Sequence, residues 1–486
     1  MHRTGLKALL LCLFVGYSGM LGAQPFSLQK QELANPYNEP RPVFPVPTEN
    51  QIRWQETEFY AFFHFGMNTF TDVEWGNGQE DEKLFQPTAA PDPEQWLRLV
   101  KAGGMRGGIV TVKHHDGFCT WPTATTSHSV VNAGNDYGHQ TNIPRDFQKA
   151  ARKLGMKYGF YVSPWDANSP YYGTDRYVKE VFHKQILELA SLGSDQFEMW
   201  FDGAKGGNVK IDASIYYDMP NIRDSVHILC PQLIMWGLGG EARWCGTESG
   251  YTNETTWSMG EGLSGNENDW LWMPSEVDTK ATDKGWFWHP GEVCRDSEEL
   301  FKMYLQSVGR NATFILNFPP DRTGKLPASD SIQLVALGEK LKTRFGNDLA
   351  PKAKISASAT RTGGRYSAKN LTDGNKDTYW ATNDEETDAT VTLRWKRPQT
   401  VRYLMLQEYI RKGQRVRNFE IEITTDGTHW TPVAQNIETT TIGYKRIVPL
   451  NGSVEHSYGE GFRVKGIRVH ISDSRACPLL SRLSVY

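Results

Sequence analysis

The sequence GIVTVKHHDGF (residues 108–118) joins an apolar run, typical of a buried strand, directly to a lysine, two histidines and an aspartate. Three further segments share this design, since residues 59–63 lead into His64, residues 158–162 into the polar stretch 163–166, and residues 197–201 into Asp202. The carboxyl ends of parallel strands meet at one edge of a barrel or sheet, where such folds bind their ligands. One histidine beside a strand is usually a structural residue, but four polar strand ends in series predict a functional site.

Helical segments separate these strands and complete an alternating pattern. Apolar residues recur at helical spacing in residues 92–102, 145–154, 176–192, 297–309 and 331–345. A last strand is expected at residues 312–318. This alternation predicts the α/β class, with a parallel sheet closed into a (β/α)8-like barrel. Residues 233–288 fit the pattern less well and are rich in Gly and Trp, so we expect long loops there that form the walls of the site.

The length of 486 residues exceeds what one hydrophobic core usually supports, which favours two domains. Residues 24–346 are expected to form the barrel domain and residues 347–354 a linker. Short segments with alternating apolar residues follow, such as residues 390–395 and 418–423. They predict a C-terminal β-sandwich over residues 355–486.

The amino terminus has the pattern of an export signal. A basic segment precedes an apolar run at residues 8–15, and small residues follow up to Ala23. Residues 1–23 are therefore predicted to be a signal peptide that is cleaved after Ala23. No other stretch is long and apolar enough to span a bilayer. We expect a periplasmic or secreted protein.

The amino-acid composition limits the kinds of molecule that the protein is expected to bind. The 53 basic and 56 acidic residues nearly cancel, which argues against nucleic acid and against anionic or inserted membrane contacts. The 16 tryptophans favour sugars, because an indole face packs against the apolar face of a sugar ring. Five of the six cysteines follow the signal peptide without paired spacing, so we expect mostly buried free thiols, with one disulfide bridge as an alternative, and no zinc site.

Two carboxylates are candidates for the chemistry. Asp202 ends an apolar strand and precedes Gly203, which we expect to allow a sharp turn that leaves the carboxylate facing the barrel mouth. Glu248 lies between small residues of the loosely patterned region. A carboxylate pair in a sugar-sized pocket is what retaining glycoside hydrolysis requires, one as nucleophile and the other as acid and then base. The structural alternatives are a helix cap or ion pair for Asp202 and a solvated side chain for Glu248.

The adjacent His114 and His115 could instead be metal ligands. Successive side chains of a strand point to opposite faces, so two ligands facing one site would need a residue between them. Hydrogen bonding to separate sugar hydroxyls suits the pair better. No metal or cofactor is expected for catalysis.

Six short motifs resemble the α-L-fucosidases of glycoside hydrolase family 29. They occur in order as HFG (64–66), EWGNG (74–78), KHHDGF (113–118), WFDG (200–203), SVGRN (307–311) and LNFPPD (316–321). The resemblance covers residues 50–340. It implies a (β/α)8-like barrel and a retaining mechanism through a covalent fucosyl-enzyme, without a metal ion.

The resemblance also assigns residues to roles. Asp202 takes the nucleophile position. The positions that hold the fucose ring correspond to His64, Glu74, Trp75, His114, His115, Tyr161 and Trp200. The motifs RWCGTE (243–248) and WMPSEVD (272–278) resemble the branch of the family selective for α-1,3/1,4-linked fucose. This branch favours Glu248 as the acid/base and adds Arg243 as a binding residue.

The segment WFWH (286–289) adds aromatic faces. We expect one indole of this segment to pack on the 5-methyl group of fucose, and Trp288 is the candidate. Core packing remains an alternative, for Trp286 in particular.

The second domain resembles the galactose-binding-like domains of the discoidin and family 32 carbohydrate-binding type. The resemblance rests on NLTDGNKDTYW (370–380) and the terminal LSVY (483–486). Relatives often bind a structural Ca²⁺ through the first segment and a glutamate near the terminus. Arg482 stands at the glutamate position, and a guanidinium in place of a carboxylate weakens an oxygen-ligand site, so calcium has little support. A sugar-binding and a purely structural role both stay open.

The leading hypothesis is an exported exo-α-L-fucosidase that removes terminal α-1,3/1,4-linked fucose from branched glycans. Its partners would be fucosylated oligosaccharides or glycoconjugates. Two alternatives remain, a non-catalytic fucose-binding protein on the same fold and a broad-specificity fucosidase that also transfers fucose to another sugar. The sequence does not indicate an oligomeric state.

Overall fold

The computed structural model describes residues 38–207, 209–433, 438–450 and 461–486. The predicted signal peptide, residues 1–23, lies outside them. No helix in the described part of the chain is long and apolar enough to cross a membrane.

Eight parallel strands form a barrel. They are β1 (Phe59–Phe63), β2 (Gly107–Lys113), β3 (Lys157–Val162), β4 (Glu198–Phe201), β5 (Ile234–Gly237), β6 (Arg243–Trp244), β7 (Ser275–Lys280) and β8 (Thr313–Asn317). They pair in the order β5-β4-β3-β2-β1-β8-β7-β6. A parallel bridge between Trp236 and Ala242 connects β5 with β6, so the ring is nearly closed. The barrel expected from the sequence is confirmed.

Three of these strands lie where long loops were expected. β5, β6 and β7 all fall within residues 233–288, so that expectation is wrong for these segments. β5 and β6 have only four and two residues, and residues 238–274 contain no helix between β5 and β7. β7 carries Glu276 and Asp278 at alternate positions, which hides the apolar pattern of a buried strand.

Helices connect most of the strands. They are α1 (Glu49–Gln55), α2 (Met67–Thr71), α3 (Pro93–Ala102), α4 (Asp136–Gln140), α5 (Ile143–Leu154), α6 (Asp175–Tyr177, continuing through the π-helical Val178–Phe182 into His183–Ala190), α7 (Ala213–Tyr216), α8 (Met219–Leu229), α9 (Ser297–Ser307) and α10 (Ala328–Phe345). Short 3-10 turns occur at Glu82–Leu84, Val130–Asn132, Ala350–Lys352, Ala368–Thr372 and Ile410–Lys412. The helices predicted in this region are confirmed to within a few residues.

Local signals set the limits of α5. The side chain of Asn142 accepts a hydrogen bond from the main-chain N–H of Arg145, and Pro144 occupies the first turn, where its missing N–H costs nothing. Gly155, with φ of 64°, ends the helix in the left-handed region. The helix buries Phe147 and Ala151 and packs against β2 and β3.

The barrel interior is built from rows of side chains two residues apart, which we call lumen rows. The row on β1 is Tyr60, Phe62 and His64, that on β4 is Glu198, Trp200 and Asp202, and that on β7 is Glu276, Asp278 and Lys280. Alternate residues of a strand face the same side, so each row runs from the buried core to the mouth. An aromatic core fills the middle of the barrel, with Phe62, Tyr161, Trp200 and Trp236 among its members.

Two antiparallel sheets form the sandwich. The strands are β9 (Lys354–Ala357), β10 (Trp380–Ala381), β11 (Ala389–Val401), β12 (Tyr403–Glu408), β13 (Val416–Thr424), β14 (Thr431–Pro432), β15 (Arg446–Pro449), β16 (Phe462–Ser474) and β17 (Leu479–Val485). The four-stranded sheet has the order β10-β17-β12-β15 and the five-stranded sheet has the order β14-β13-β16-β11-β9. The expected sandwich is confirmed, and a separate apolar core lies between its sheets.

The sandwich contacts the barrel at the end away from the polar strand ends. Glu58, directly before β1, is buried and forms ion pairs with Lys445 of the sandwich at 2.6 Å and with Arg106, directly before β2, at 3.2 Å. Phe345, at the end of α10, packs on Tyr403 and Tyr486 with ring centroids 5.2 Å apart in each pair. This contact leaves the mouth of the barrel to the loops of the barrel itself.

Candidate active site

The carboxyl ends of the barrel strands enclose a cavity of about 100 Å³. It is lined by Phe62, His64, Trp75, His114, His115, Tyr161, Trp200, Asp202, Glu248, Asp278 and Trp286. A wider cavity of about 570 Å³ shares Trp75, Glu248 and Trp286 with it and includes Glu74, Lys280 and His289. The inner cavity is on the scale of one sugar ring, and the outer one leaves room for more.

Asp202 follows β4 and is held by two hydrogen bonds. Its Oδ1 accepts a hydrogen bond from the main-chain N–H of Ala204 at 2.7 Å, and its Oδ2 accepts one from the Tyr161 hydroxyl at 3.1 Å. His115 Nε2 lies 4.0 Å from the same Oδ2. The side chain remains 26% exposed, so the carboxylate is oriented and still accessible from the cavity.

Gly203 was expected to allow a sharp turn after β4, and the structure shows that no glycine is needed there. It is absent from the glycines with positive φ, and a Cβ at this position would meet nothing within 4 Å. The chain therefore leaves β4 without needing a glycine. The strand end itself, together with the hydrogen bond from Ala204, directs the Asp202 carboxylate to the mouth.

Three histidines line the same cavity as Asp202 and have defined hydrogen-bond partners. His64 Nδ1 lies 2.9 Å from Asn317 Oδ1, an acceptor, so Nδ1 carries the proton and Nε2 is an acceptor. The Ser163 hydroxyl donates to the Trp165 carbonyl at 2.7 Å, so His115 Nδ1, 2.7 Å from Ser163 Oγ, is also the donor. Asn68 Nδ2 lies 3.3 Å from His114 Nδ1 and donates to it, which places the His114 proton on Nε2.

All three imidazoles are neutral at neutral pH. Burial lowers the pKa of His64 to about 3 and that of His115 to about 4. Burial, with the nearby His115 and His64, also lowers the pKa of His114 well below its ordinary value. The cavity is thus offered two nitrogen acceptors and one N–H donor, a set suited to neutral hydroxyl groups.

Aromatic rings form the walls. Trp200 stacks between Trp236, 3.9 Å away, and Tyr161, 5.2 Å away. Trp75 is 54% exposed and meets His115 edge-on at 5.0 Å. Trp286 lies 5.2 Å from His64. Such walls favour a ligand with both hydroxyl groups and an apolar face.

Glu248 lies in the turn that follows β6. The turn contains Gly246 and Gly250, with φ of 99° and 80°, conformations that other residues rarely adopt. The side chain is exposed and lines both cavities. Across the described ranges, no hydrogen-bond or ion-pair partner holds it, so the carboxyl group is available to a bound molecule.

Most of the residues predicted from the sequence come together. Those that line the inner cavity are His64, Trp75, His114, His115, Tyr161, Trp200, Asp202 and Glu248. Glu74 lines the outer cavity, where its Oε1 accepts a hydrogen bond from the main-chain N–H of Trp286 at 2.6 Å and its Oε2 lies 3.2 Å from His289 Nε2.

Two predicted residues lie elsewhere. Arg243 is buried and donates to the carbonyls of Met273 and Trp257 at 3.0 Å each, so it anchors a loop and does not line either cavity. Trp288 packs beside the guanidinium of Arg322, 5.6 Å from its ring centre, and Trp286 lines the cavity in its place. Residues 286–289 do not form a strand, so their spacing does not predict which indole faces the site.

Asp278 is a lining residue that the sequence prediction missed. It lies in the lumen row of β7, is 3% exposed, and accepts a hydrogen bond from Trp244 Nε1 at 2.7 Å. Burial raises the pKa of Asp278 well above its ordinary value, and the charges of Glu248 and Glu276 act in the same direction. The alternation of SEVDTK (275–280), with acids two residues apart, is the signal that identifies it.

A second acidic pair lies below the cavity. The Tyr60 hydroxyl is 2.9 Å from Glu198 Oε2 and also contacts Glu276 Oε2. One hydroxyl has one proton to donate, so at least one of the two carboxyls must carry a proton of its own. Trp54 Nε1 donates to Glu198 at 2.8 Å, and Trp200 Nε1 donates to Glu276 at 2.7 Å.

Burial raises the pKa of both lower carboxyls, that of Glu198 to about 8 and that of Glu276 well above its ordinary value. Among the residues that the structure describes, no cation contacts the pair, and its partners are neutral donors. The pair therefore belongs to the barrel core as a neutral or singly charged unit.

The described cysteines are not paired with one another, and the described residues contain no candidate metal site. Cys119, Cys230, Cys245, Cys294 and Cys477 are buried and free. Within the described ranges, no three His, Cys, Asp or Glu side chains are grouped so as to hold a metal ion. Arg482, at the position discussed for calcium, lies 3.7 Å from Asp348.

Comparison with known proteins gives consistent matches for both parts of the chain. Residues 47–344 match the alpha-L-fucosidase family, and residues 354–481 match the F5/8 type C domain. The chain is 31% identical over 464 residues to alpha-L-fucosidase 1 of Arabidopsis thaliana, covering 92% of this chain and 88% of the plant protein.

Comparison with solved structures gives matches to the same family. A glycoside hydrolase 29 family member from an unknown rumen bacterium is 35% identical and superposes with a TM-score of 0.78, covering 92% of this chain and 78% of the other. A Ruminococcus gnavus GH29 fucosidase in complex with fucose is 28% identical with a TM-score of 0.81, covering 92% and 96%.

Proposed function

Because this chain belongs to the alpha-L-fucosidase family of glycoside hydrolases, we propose that it hydrolyses terminal α-1,3/1,4-linked fucose on branched glycans with retention of configuration. The observation that carries the proposal is the pairing of Asp202 and Glu248 in one cavity on the scale of a single sugar ring. Retaining hydrolysis needs two carboxyl groups on either side of the scissile bond.

In this mechanism Asp202 Oδ attacks the anomeric carbon of fucose while Glu248 donates its proton to the leaving glycosidic oxygen. The C–O bond to the leaving sugar breaks as the bond to Asp202 forms, which gives a covalent fucosyl-enzyme. Glu248, now a carboxylate, removes a proton from water, and the resulting hydroxide displaces Asp202. The Tyr161 hydroxyl, bonded to Asp202, supports this role because it fixes the orientation of the attacking carboxylate.

The histidines would hold the fucose hydroxyls. The Nε2 acceptors of His64 and His115 and the Nε2–H donor of His114 supply complementary partners without charge. Trp286 would pack on the 5-methyl group, the role that the sequence assigned to Trp288. The selectivity for branched glycans is supported by the outer cavity, which offers space for the sugars that carry the fucose.

The test measures fucose release from an aryl α-L-fucoside and from an oligosaccharide with α-1,3 or α-1,4 fucose. Glu248→Gln is compared with Glu261→Gln, an exposed glutamate of the neighbouring loop. We expect Glu248→Gln to lose most of its activity on the oligosaccharide, whose poor leaving group needs the proton, and Glu261→Gln to keep it. Proton NMR should detect the α-anomer of fucose first. Release of the β-anomer would overturn retention, and brisk cleavage of the aryl fucoside alone would overturn the linkage preference.

We also propose that the protein is exported to the periplasm or the medium, as the sequence of residues 1–23 suggests. Expression of the full chain followed by cell fractionation and sequencing of the mature amino terminus tests this. A mature chain starting at Gln24 is expected. An intact Met1 in the cytoplasm would contradict export.

Catalysis is proposed to need no metal ion or cofactor, because two carboxylates and neutral hydrogen-bond partners suffice for the reaction. Dialysis against EDTA should leave fucose release within about twofold of the untreated enzyme. A loss that added Ca²⁺ or Zn²⁺ restores would contradict the proposal.

A further inference from the structure

Trp244 combines an exposed ring with a buried anchor. Its side chain is 43% exposed, and its Nε1–H donates to Asp278 Oδ1 at 2.7 Å. Asp278 is itself 3% exposed and lines the inner cavity together with Asp202 and Glu248. The only polar atom of the indole is thus already bonded, so the exposed surface of Trp244 is an apolar ring face.

The main chain on both sides of Trp244 is fixed. In β6, Trp244 pairs with Glu276 of β7, and the next N–H, that of Cys245, donates to the Glu276 carbonyl at 2.8 Å. On the other side, the Arg243 main-chain N–H donates to the Pro274 carbonyl at 3.0 Å, and its guanidinium donates to three carbonyls of the loop at residues 257–273. An aromatic side chain with a fixed backbone and a bonded N–H loses little conformational entropy when a ligand packs on it.

Trp244 ends β6 and directly precedes the turn that carries the group facing the leaving sugar. Glu248 follows four residues later, in the same turn, and lines both the inner and the outer cavity. The sugar that carries the fucose is joined through the oxygen that Glu248 protonates. That sugar must therefore lie close to the turn that begins at Trp244.

We propose that Trp244 determines specificity by stacking on the apolar C–H face of the pyranose that carries the fucose, and that Asp278 is the positioning residue that holds the indole. This inference rests on the proposed function of the site. An exposed tryptophan without such a role would not require a carboxyl group buried in the sugar cavity, since burying a carboxyl is unfavourable unless its partners compensate.

The test compares a branched fucosylated oligosaccharide with an aryl α-L-fucoside, which lacks a pyranose in the leaving group. We expect Trp244→Ala to lower kcat/KM for the oligosaccharide about three- to tenfold more than for the aryl fucoside, mainly through KM, as loss of one stacked ring would. Trp244→Phe keeps a ring face and should retain most of the selectivity. Trp270→Ala, a change at a tryptophan 84% exposed, is the control and should leave both substrates unchanged.

Asp278 is tested by the same ratio of kcat/KM values. Asp278→Asn preserves an oxygen acceptor for the Trp244 N–H and should keep the ratio near that of the wild type, whereas Asp278→Ala should lower it as Trp244→Ala does. An unchanged ratio in Trp244→Ala, or equal losses on the two substrates, would overturn the proposal.

A binding measurement separates this inference from the proposed function. Calorimetry with the fucose-free disaccharide core of the oligosaccharide should show weaker binding to Trp244→Ala than to the wild type. If the wild type releases no fucose from either substrate, the proposed function fails while this binding difference still supports a sugar platform at Trp244. If the disaccharide binds equally well to the wild type and to Trp244→Ala, Trp244 does not bind that sugar, whether or not the enzyme is active.

Discussion

Glu198 and Asp202 lie four residues apart in the same lumen row of β4, and their surroundings differ in nearly every respect. Glu198 is fully buried and shares the Tyr60 hydroxyl with Glu276 in the aromatic core. Asp202 is partly exposed at the mouth, where a tyrosine hydroxyl and a main-chain N–H donate to it. We call Glu198 and Glu276 the lower pair, and Asp202 and Glu248 the upper pair.

The difference teaches that depth in the barrel decides what a carboxyl group can do. In the lower pair, burial raises the pKa of both groups, so the pair holds at least one proton and acts as a hydrogen-bonded unit of the core. In the upper pair the same chemical group faces a cavity that a sugar can enter. Each prediction below changes a member of one pair or a side chain bonded to it, and tests whether the two pairs act separately.

The largest effect is expected for Asp202→Asn. Loss of the attacking carboxylate should lower kcat roughly 10³- to 10⁴-fold, because an amide cannot form the covalent intermediate. The urea midpoint should stay close to that of the wild type, since the side chain is partly exposed. Asp224→Asn, at an exposed position of α8, is the matched control. Substantial residual turnover in a pure sample of Asp202→Asn would move the nucleophile elsewhere.

The next effect concerns the lower pair. Glu276→Ala should destabilise the protein by about 3 kcal/mol, because it opens a cavity and leaves the Trp200 N–H without its acceptor. Activity per folded molecule should fall far less than in Asp202→Asn, since Glu276 does not line the cavity. Urea unfolding followed by tryptophan fluorescence measures the first quantity and titrated active sites the second. A stable but inactive Glu276→Ala protein would contradict the separation of the two pairs.

A smaller effect is expected in the pH dependence of stability. A carboxyl whose pKa is raised by folding stabilises the protein fully below its unfolded pKa, and this contribution is lost as the pH rises through the folded value. For Glu198 the window runs from about 4.5 to about 8. The free energy of unfolding should therefore fall with rising pH across this window, by at most about 1.4 kcal/mol per pH unit for one proton. Glu198→Gln cannot titrate and should flatten the slope, which urea unfolding at a series of pH values measures. An unchanged slope in this variant would contradict the prediction.

The smallest effect is expected for Tyr161→Phe. It removes the 3.1 Å hydrogen bond to Asp202 but keeps the ring that stacks on Trp200. We expect kcat/KM to fall about threefold to tenfold, the usual net value of one intramolecular hydrogen bond. Tyr172→Phe, which removes a hydroxyl bonded to Tyr217, is the control. A loss as large as that of Asp202→Asn would show that the hydroxyl does more than orient the carboxylate.

The sequence predicted the half of the barrel in which apolar strands end in polar residues. β1 to β4 were found because each consists mainly of apolar residues, and their ends supplied His64, His114, His115 and Asp202. The acidic lumen row of β7 was missed, because Glu276 and Asp278 interrupt the apolar pattern by which a buried strand is found.

The other wrong site predictions, for Arg243 and Trp288, depend on contacts between distant parts of the chain. Arg243 was expected at the site because of its motif, but the carbonyls that bind its guanidinium belong to a loop some residues away, which no local pattern shows. Trp286 faces the cavity because Glu74 and Asn317 bond its main chain. Such long-range hydrogen bonds decide between two neighbouring indoles that the sequence presents as equivalent.

The contact between the sandwich and the amino-terminal ends of β1 and β2 has a practical consequence for truncation and fusion. A barrel cut at residue 346 would lose Lys445 from buried Glu58 and the aromatic partners of Phe345, so a charge and an apolar ring would both face water. The barrel and the sandwich should therefore be expressed, engineered and immobilised as one piece. Attachment to a support through the sandwich would present the barrel mouth to the solution.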